Sequence, residues 1–146
     1  MLLQECIKNV SQALEGKKGE IEVVLDGDIT IEADPFHMKN AITNILDNSI
    51  KYCDQSPQIE VRGTVANESL LLKISDNGIG MSTKSQKMAF APFYRAETGD
   101  IHNRKGFGLG LSYVKEVIVA HKGEVSLESK QQKGTTITIK LPVHGG

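Results

Sequence analysis

Apolar residues recur every three or four positions in two stretches of the chain, as expected for helices that bury one face. The first stretch predicts a helix from residue 2 that ends near Gly16. The second predicts a helix over residues 109–121. Its inward positions are Leu111, Val114, Val117 and Ile118. Another helix should begin at Asp34 and Pro35, because aspartate caps free amides and proline suits the first helical position. It should run to about residue 52.

Alternating apolar and polar residues predict six strands in three pairs. The strands are expected at residues 21–26, 29–34, 58–65, 69–76, 123–130 and 135–142. Gly27-Asp28 and Asn67-Glu68 mark the first two turns, and Gly134 ends the third. Strand pairs separated by helices predict an α+β fold. We expect a two-layer sandwich with a mixed, mostly antiparallel sheet and helices packed on one face.

Residues 81–105 break this regularity. The stretch is polar, contains Pro92 and Gly99, and has no long apolar period. Irregular segments of this length are usually functional lids or disordered.

Length and charge narrow the class of protein. The 146 residues suffice for one domain, and the net charge of −1 gives no electrostatic argument for a nucleic-acid or membrane partner. No apolar run approaches the roughly 18 residues of a membrane span. Cys6 and Cys53 have no metal or redox spacing. We expect a cytoplasmic domain that is not embedded in a membrane.

Three asparagines form a row on the second helix. Asn40, Asn44 and Asn48 are four residues apart, and Lys51 extends the row. Asparagine is a poor helix former, by roughly 0.7 kcal/mol relative to alanine. The row is either a solvated polar face or a set of amide oxygens that face a cation or a polyphosphate. Magnesium favours hard oxygen ligands of this kind and shares them with phosphates.

The stretch DNGIG begins at Asp76, directly after an apolar strand. One interpretation is a strand-ending turn, since Asp-Gly and Asn-Gly are common in turns. The other assigns the Asp76 carboxylate to a ligand amino group such as that of adenine, with Gly78 and Gly80 allowing a flat ring to approach the backbone.

Gly106, Gly108 and Gly110 alternate in GFGLGLS, ahead of the last helix. The dinucleotide fingerprint would require glycine at the position of Leu111, and the chain contains no Gly-Lys-Ser/Thr phosphate loop. A helix N-terminus still attracts phosphate, because its amides are unpaired and the positive end of the helix dipole lies there.

Five stretches together resemble the N, G1, F, G2 and G3 boxes of the catalytic ATP-binding domain of sensor histidine kinases. They are NAITNILDNSIKY, DNGIG, FAPFYR, GFGLGLS and GTTITIKLP, in that order. The resemblance extends from about Ile21 to the end of the chain. It implies the Bergerat-type α/β sandwich that gyrase, Hsp90 and MutL share, with ATP and Mg²⁺ as ligands.

The resemblance also implies residue roles. Asn48 corresponds to the magnesium ligand, Asn44 faces the same phosphates, and Arg95 reaches the γ-phosphate; these three are the implied catalytic residues. Phe90 and Phe93 correspond to the pair that anchors an ATP lid over residues 81–105. The implied nucleotide contacts are Asn48, Lys51, Tyr52, Asp76, Gly78, Gly80, Phe93, Gly106, Gly108, Leu109, Gly110, Leu111 and Thr135. Thr135 and Thr136 could equally be ordinary β-branched strand residues.

Hydrolytic members of this superfamily have a glutamate where this chain has Asn44, which favours phosphoryl transfer over hydrolysis. The four histidines are His37, His102, His121 and His144. None is followed by the acidic residue typical of a phosphoacceptor. We therefore expect residues 1–146 to be one catalytic domain that is inactive alone. It would phosphorylate a histidine on a separate dimerisation domain, and indirectly a response regulator, within a membrane-bound bacterial sensor.

The sequence leaves two alternative functions open. An anti-sigma-type serine kinase shares the fold, and a non-catalytic nucleotide-binding module would signal without transfer.

Overall fold

A single sheet of five strands carries the structure, with strand order β1-β2-β3-β5-β4. The computed structural model describes residues 2–26, 33–91 and 110–143. In chain order the elements are α1 (Leu2–Gly16), β1 (Glu20–Leu25), α2 (Pro35–Lys51), β2 (Gln58–Ala66), β3 (Ser69–Ser75), α3 (Thr83–Met88), α4 (Gly110–Ala120), β4 (Glu124–Lys130) and β5 (Gly134–Pro142).

The sheet is mixed and mostly antiparallel. The pairs β2–β3, β3–β5 and β4–β5 are antiparallel, whereas β1 and β2 are parallel. Val61 lies opposite Ile74, which in turn lies opposite Ile137, and all three are buried. The helices α1, α2 and α4 pack on this apolar face and share one core with it. The predicted two-layer α+β sandwich is therefore confirmed.

β1 joins the sheet through a parallel neighbour and not through the first predicted hairpin. β1 pairs in parallel with β2, from Glu20 opposite Gln58 to Leu25 opposite Gly63. Parallel neighbours need a long crossover, and α2 supplies it here. The expected second strand of that hairpin falls mainly on residues 27–32, which lie outside the described residues.

The start of α2 is fixed at two points. The Asp34 carboxylate accepts hydrogen bonds from the amides of Phe36 (3.0 Å) and His37 (3.3 Å), as its capping role predicts. The Asp34 amide donates to Nε2 of His121 (2.9 Å), and Nδ1 of that ring lies 2.7 Å from the Val117 carbonyl oxygen. A ring with its hydrogen on Nδ1 satisfies both contacts. His121 thus joins the end of α4 to the start of α2.

Lys17 fixes the other end of α2. Its Nζ donates to the carbonyl oxygens of Ile50 (2.8 Å), Lys51 (3.5 Å) and Cys53 (2.9 Å). Carbonyls at a helix C-terminus have no partner within the helix, and a cation there interacts favourably with the helix dipole. The loop after α1 therefore stabilises the last turn of α2.

The short helix α3 was not predicted. It lies within the stretch expected to be irregular and has six residues. Its start is capped by Ser82, whose Oγ accepts from the Ser85 amide at 3.1 Å. A helix of this length is too short to show an apolar period in the sequence. Residues 92–109, most of the expected lid, lie outside the described part of the chain.

Replacement of Lys17 should weaken the fold. We expect Lys17→Met to lower the free energy of unfolding by about 0.5–1 kcal/mol, because the C-terminal carbonyls of α2 lose a cationic donor. Urea unfolding followed by circular dichroism would measure the change. Lys8→Met, at an exposed position on α1, is the matched control. Equal unfolding free energies for the two variants would contradict the capping role.

Candidate nucleotide-binding site

Asp76 lies directly after β3, where three parts of the chain meet. Its Oδ1 accepts from the amides of Gly78 (2.8 Å) and Thr135 (3.1 Å). The Asp76 amide donates to the Thr135 carbonyl oxygen at 2.9 Å. The Ser49 hydroxyl of α2 lies beside the carboxylate and favours its charged form. The structure thus brings Asp76, Thr135 and Ser49 together.

The Asp76 carboxylate is partly removed from water. Burial raises the pKa of Asp76 above its usual range, and the Gly78 amide, the nearby Ser49 hydroxyl and the Thr135 amide offset part of that rise. A carboxylate has about four acceptor positions, so the two amide donors leave capacity for a ligand amine. A half-buried acceptor with a perturbed pKa is typical of functional sites.

The two glycines of DNGIG have structural roles within the protein. A Cβ on Gly78 would lie 2.6 Å from the Tyr52 carbonyl oxygen, which also accepts from the Ile79 amide at 2.9 Å. Gly80 has φ +72°, and a Cβ there would overlap the Lys130 carbonyl oxygen. Both positions exclude other residues before any ligand is considered.

Asn77 fixes the same loop from its other side. Its Oδ1 accepts from the Gln58 amide (2.8 Å), and its Nδ2 donates to the Ser56 carbonyl oxygen (3.2 Å). The buried Cys53 thiol also contacts this Oδ1, at 3.4 Å. Asn77 therefore connects the loop to the start of β2 and does not project as a free side chain.

The asparagine row on α2 is not a solvated face. Asn44 is only 7% exposed, and Asn40 and Asn48 are half-buried. The interpretation of the row as a solvated polar stripe is therefore wrong for its central member. A buried amide in a helix is costly unless it has a polar partner or a function.

Charged groups lie beside this row in the last turns of α2. The Nζ of Lys51 lies 5.3 Å from the centroid of the Tyr52 ring, within the range of a cation–π contact. Burial raises the pKa of Asp47, and the charge of Lys51 opposes that rise. The end of α2 thus combines an amide, a carboxyl group and a cation near the Asp76 loop.

The start of α4 is described from Gly110 onward. Gly110 has φ +57°, and no described atom lies within 4 Å of the position of a Cβ, so its conformation rather than close packing requires glycine. The Leu111 side chain is buried in the core, which leaves only its backbone for a ligand. Phe90 packs against the core. The remaining predicted positions lie outside the described residues: Phe93, Arg95, Gly106, Gly108 and Leu109.

Thr135 and Thr136 lie on opposite faces of the sheet. The Thr135 hydroxyl contacts Ser129 Oγ at 2.8 Å, on the side of Asp76. The Thr136 hydroxyl contacts Ser75 Oγ at 3.0 Å on the other face. Only the first of the pair lies toward the site.

Sequence reasoning missed Ser49 and Ser129. Ser49 is 5% exposed and donates to the Ile45 carbonyl oxygen one turn earlier, at 3.1 Å. A serine on the buried face of a helix is a usable signal, since a buried hydroxyl needs a partner. Ser129 sits in an alternating strand, and nothing in its local sequence sets it apart.

The described residues contain no group of three or more His, Cys, Asp or Glu side chains arranged to hold a metal ion. The asparagines of α2 fit a different case, a magnesium ion that takes most of its oxygen ligands from phosphates and water.

Residues 33–145 match the family described as histidine kinase-, DNA gyrase B-, and HSP90-like ATPase. The chain is 38% identical over 97% of its length to sensor protein RprX of Bacteroides fragilis, and covers 28% of that protein. It is 36% identical over 80% of its length to sensor histidine kinase WalK of Bacillus subtilis, and covers 20% of it.

Solved structures agree in fold. The mycobacterial sensor histidine kinase MprB superposes with a TM-score of 0.79 at 26% identity, over 97% of this chain and 96% of that one. The catalytic domain of histidine kinase ThkA gives a TM-score of 0.82 at 20% identity, over 97% and 90% of the two chains.

The chain thus spans less than a third of the length of these curated relatives. The matching family is described as an ATPase, so ATP is the nucleotide that this module uses. The match covers more than half of the chain. The chain therefore belongs to the histidine kinase-, DNA gyrase B- and HSP90-like ATPase family.

Proposed function

We propose that this chain binds Mg-ATP with its adenine at Asp76 and transfers the γ-phosphate to a histidine on a separate dimerisation domain. The observation that carries the proposal is the Asp76 carboxylate, which is partly buried and held by amide donors from its own loop and from β5. The relative WalK is a sensor histidine kinase and RprX a sensor protein, and a similar fold, full-length ShkA, was solved in complex with AMPPNP.

In this proposal the adenine amino group donates to Asp76, and the phosphates extend toward the asparagines of α2. Lys51 and Tyr52 lie at the end of that helix and contact phosphate or ribose. Asn48 would hold magnesium, which neutralises phosphate charge when bound. The start of α4 contributes backbone amides to the phosphates.

The transfer step depends mainly on alignment. A histidine nitrogen of the partner domain attacks the γ-phosphorus, the bond from that phosphorus to the β–γ bridging oxygen breaks, and ADP leaves with that oxygen. The described part of α2 has Asn44, a neutral amide, where hydrolytic relatives have a glutamate. An amide cannot accept the proton of an attacking water, so positioned transfer is favoured over hydrolysis.

The proposal places the module in the cytoplasm, where ATP is available, within a longer membrane-bound sensor that passes the phosphoryl group to a response regulator. A structure of similar fold, ThkA, was solved with response regulator TrrA. No helix in the described ranges combines the length and apolarity needed to cross a bilayer.

Phosphotransfer itself is the first test. The chain should transfer label from γ-³²P-ATP to the dimerisation domain of its parent protein and should give no labelled product alone. Alkali-stable, acid-labile label would identify phosphohistidine. Acid-stable label would favour a serine kinase, and nucleotide binding without any label would favour a non-catalytic module.

Asn48 is tested by comparison with its neighbour in the row. We expect Asn48→Ala to lower the rate of phosphotransfer by about 100-fold or more, because the magnesium ion that would neutralise the phosphates loses its protein ligand. Affinity for ADP without magnesium should stay within about 2-fold of the wild type. Asn40→Ala, two turns earlier, is the matched control and should retain the transfer rate. Equal losses in both variants would remove Asn48 from the magnesium role.

The substitution Asp76→Asn should stabilise the fold at pH 7 but weaken nucleotide binding. Because burial raises the pKa of Asp76, the folded protein holds this proton more tightly than the unfolded chain. The unfolding free energy of the wild type therefore falls as pH rises from the ordinary aspartate range through the raised pKa. Asp76→Asn carries no charge, so at pH 7 it should be more stable than the wild type without nucleotide, and the difference should shrink below about pH 4.

The same variant should bind ADP at least about 10-fold more weakly, since an amide presents a donor as well as an acceptor to the adenine amine. Thermal unfolding over a pH series and calorimetry with ADP would measure the two effects. Glu128→Gln, an exposed change of the same charge, is the control. Lower stability of Asp76→Asn at pH 7 would show that the hydrogen bonds outweigh the desolvation.

A further inference from the structure

The β4–β5 hairpin holds the loop of residues 76–81 along its whole length. At the near end, Thr135 exchanges hydrogen bonds with Asp76. In the middle, the Gln132 amide donates to the Ile79 carbonyl oxygen at 2.6 Å. At the far end, the Met81 amide donates to Ser129 Oγ at 2.8 Å. The first and middle attachments use the backbone of the hairpin, whereas the last uses a side chain.

All the hydrogen-bonding capacity of the Ser129 hydroxyl is used. It accepts from the Met81 amide and donates to the Gly134 carbonyl oxygen at 2.9 Å. The Thr135 hydroxyl, 2.8 Å away, supplies a further hydrogen bond to the second lone pair. One oxygen therefore links the far end of the loop to the residue that holds Asp76.

Gln86 of α3 adds a second link between the end of the loop and β4. Its Nε2 donates to the carbonyl oxygens of Ser129 (2.8 Å) and Met81 (3.0 Å). The amide of one side chain thus bridges β4 and the end of the loop.

We propose that Ser129, supported by Gln86, is a positioning residue for adenine recognition in the site proposed above. It contacts no base itself. It fixes Met81, and with Thr135 at the other end it holds the loop in the one conformation that aims the Gly78 amide at Asp76 Oδ1. Without this attachment the loop relaxes, the carboxylate loses its orientation, and the distinction between an amine and a carbonyl on the purine ring weakens.

Nucleotide discrimination provides the test, because this inference rests on the proposed adenine site. IDP differs from ADP in having a carbonyl oxygen in place of the amino group. We expect wild type to prefer ADP over IDP, and Ser129→Ala to bind ADP about 5- to 20-fold more weakly with an ADP/IDP preference reduced at least about 5-fold. Gln86→Met should reduce the preference in the same direction but less.

Two matched controls accompany these variants. Ser126→Ala lies on the exposed face of β4, and Lys87→Met lies on the exposed side of α3; both should keep the wild-type preference. Calorimetry below the unfolding temperature of each variant gives affinity and the fraction of active protein. A variant that is merely less stable loses active fraction for both nucleotides and keeps the preference.

The outcomes distinguish the adenine role of Asp76 from the positioning role of Ser129. Wild type that binds ADP and IDP equally, or binds neither, would overturn the adenine role of Asp76. Wild-type discrimination that persists in Ser129→Ala and Gln86→Met would overturn the positioning role alone. If Ser129→Ala does not fold, the preference of Gln86→Met decides.

Discussion

The desolvated carboxylate of Asp76 is the constraint on which the arrangement of this domain depends. Its partial burial is unfavourable, and two amide donors offset part of that cost, Gly78 in its own loop and Thr135 on β5, with the Ser49 hydroxyl of α2 beside them. The pairing of Ser75 with Thr136 sets the β3–β5 register and brings the Thr135 amide opposite the carboxylate. A shift of one residue would turn every side chain of β5 to the other face and remove this donor.

The position of α2 is the second requirement, because that helix carries both Ser49 and the asparagine row. Residues outside α2 hydrogen-bond both of its ends. His121 binds the Asp34 amide at the start, and Lys17 binds the last carbonyls at the end. Helix termini have unpaired amides and carbonyls, so contacts from outside the helix determine whether its ends fray. Residues remote from the site thereby fix the side chains that line it.

Local patterns allowed most of the elements to be predicted from the sequence. The Asp34 cap, the inward residues of α4 and the Asn67-Glu68 turn each depend on neighbours within a few positions. The parallel β1–β2 pairing depends on contacts more than thirty residues apart, and α3 on a single serine cap, so neither had a periodic signal. The glycines show the same limit. The sequence predicted that Gly78 and Gly80 let a flat ligand ring approach the backbone, whereas the structure shows that the backbone of Tyr52 and Lys130 itself requires glycine at these positions.

Separation of base recognition from phosphate chemistry follows from this architecture. The Asp76 loop is held by β-sheet, hairpin and helix contacts that need no phosphate, so the adenine pocket of the proposed site has the same shape for ATP and ADP. Any difference in affinity between ATP and ADP must then come from the α2 amides, the start of α4 and the chain between α3 and α4. A pocket that retains ADP slows turnover, because product release follows each transfer. In the proposed site, the fixed loop would hold adenine securely, and the phosphate-binding elements would have to supply both the selectivity for ATP and the release of ADP.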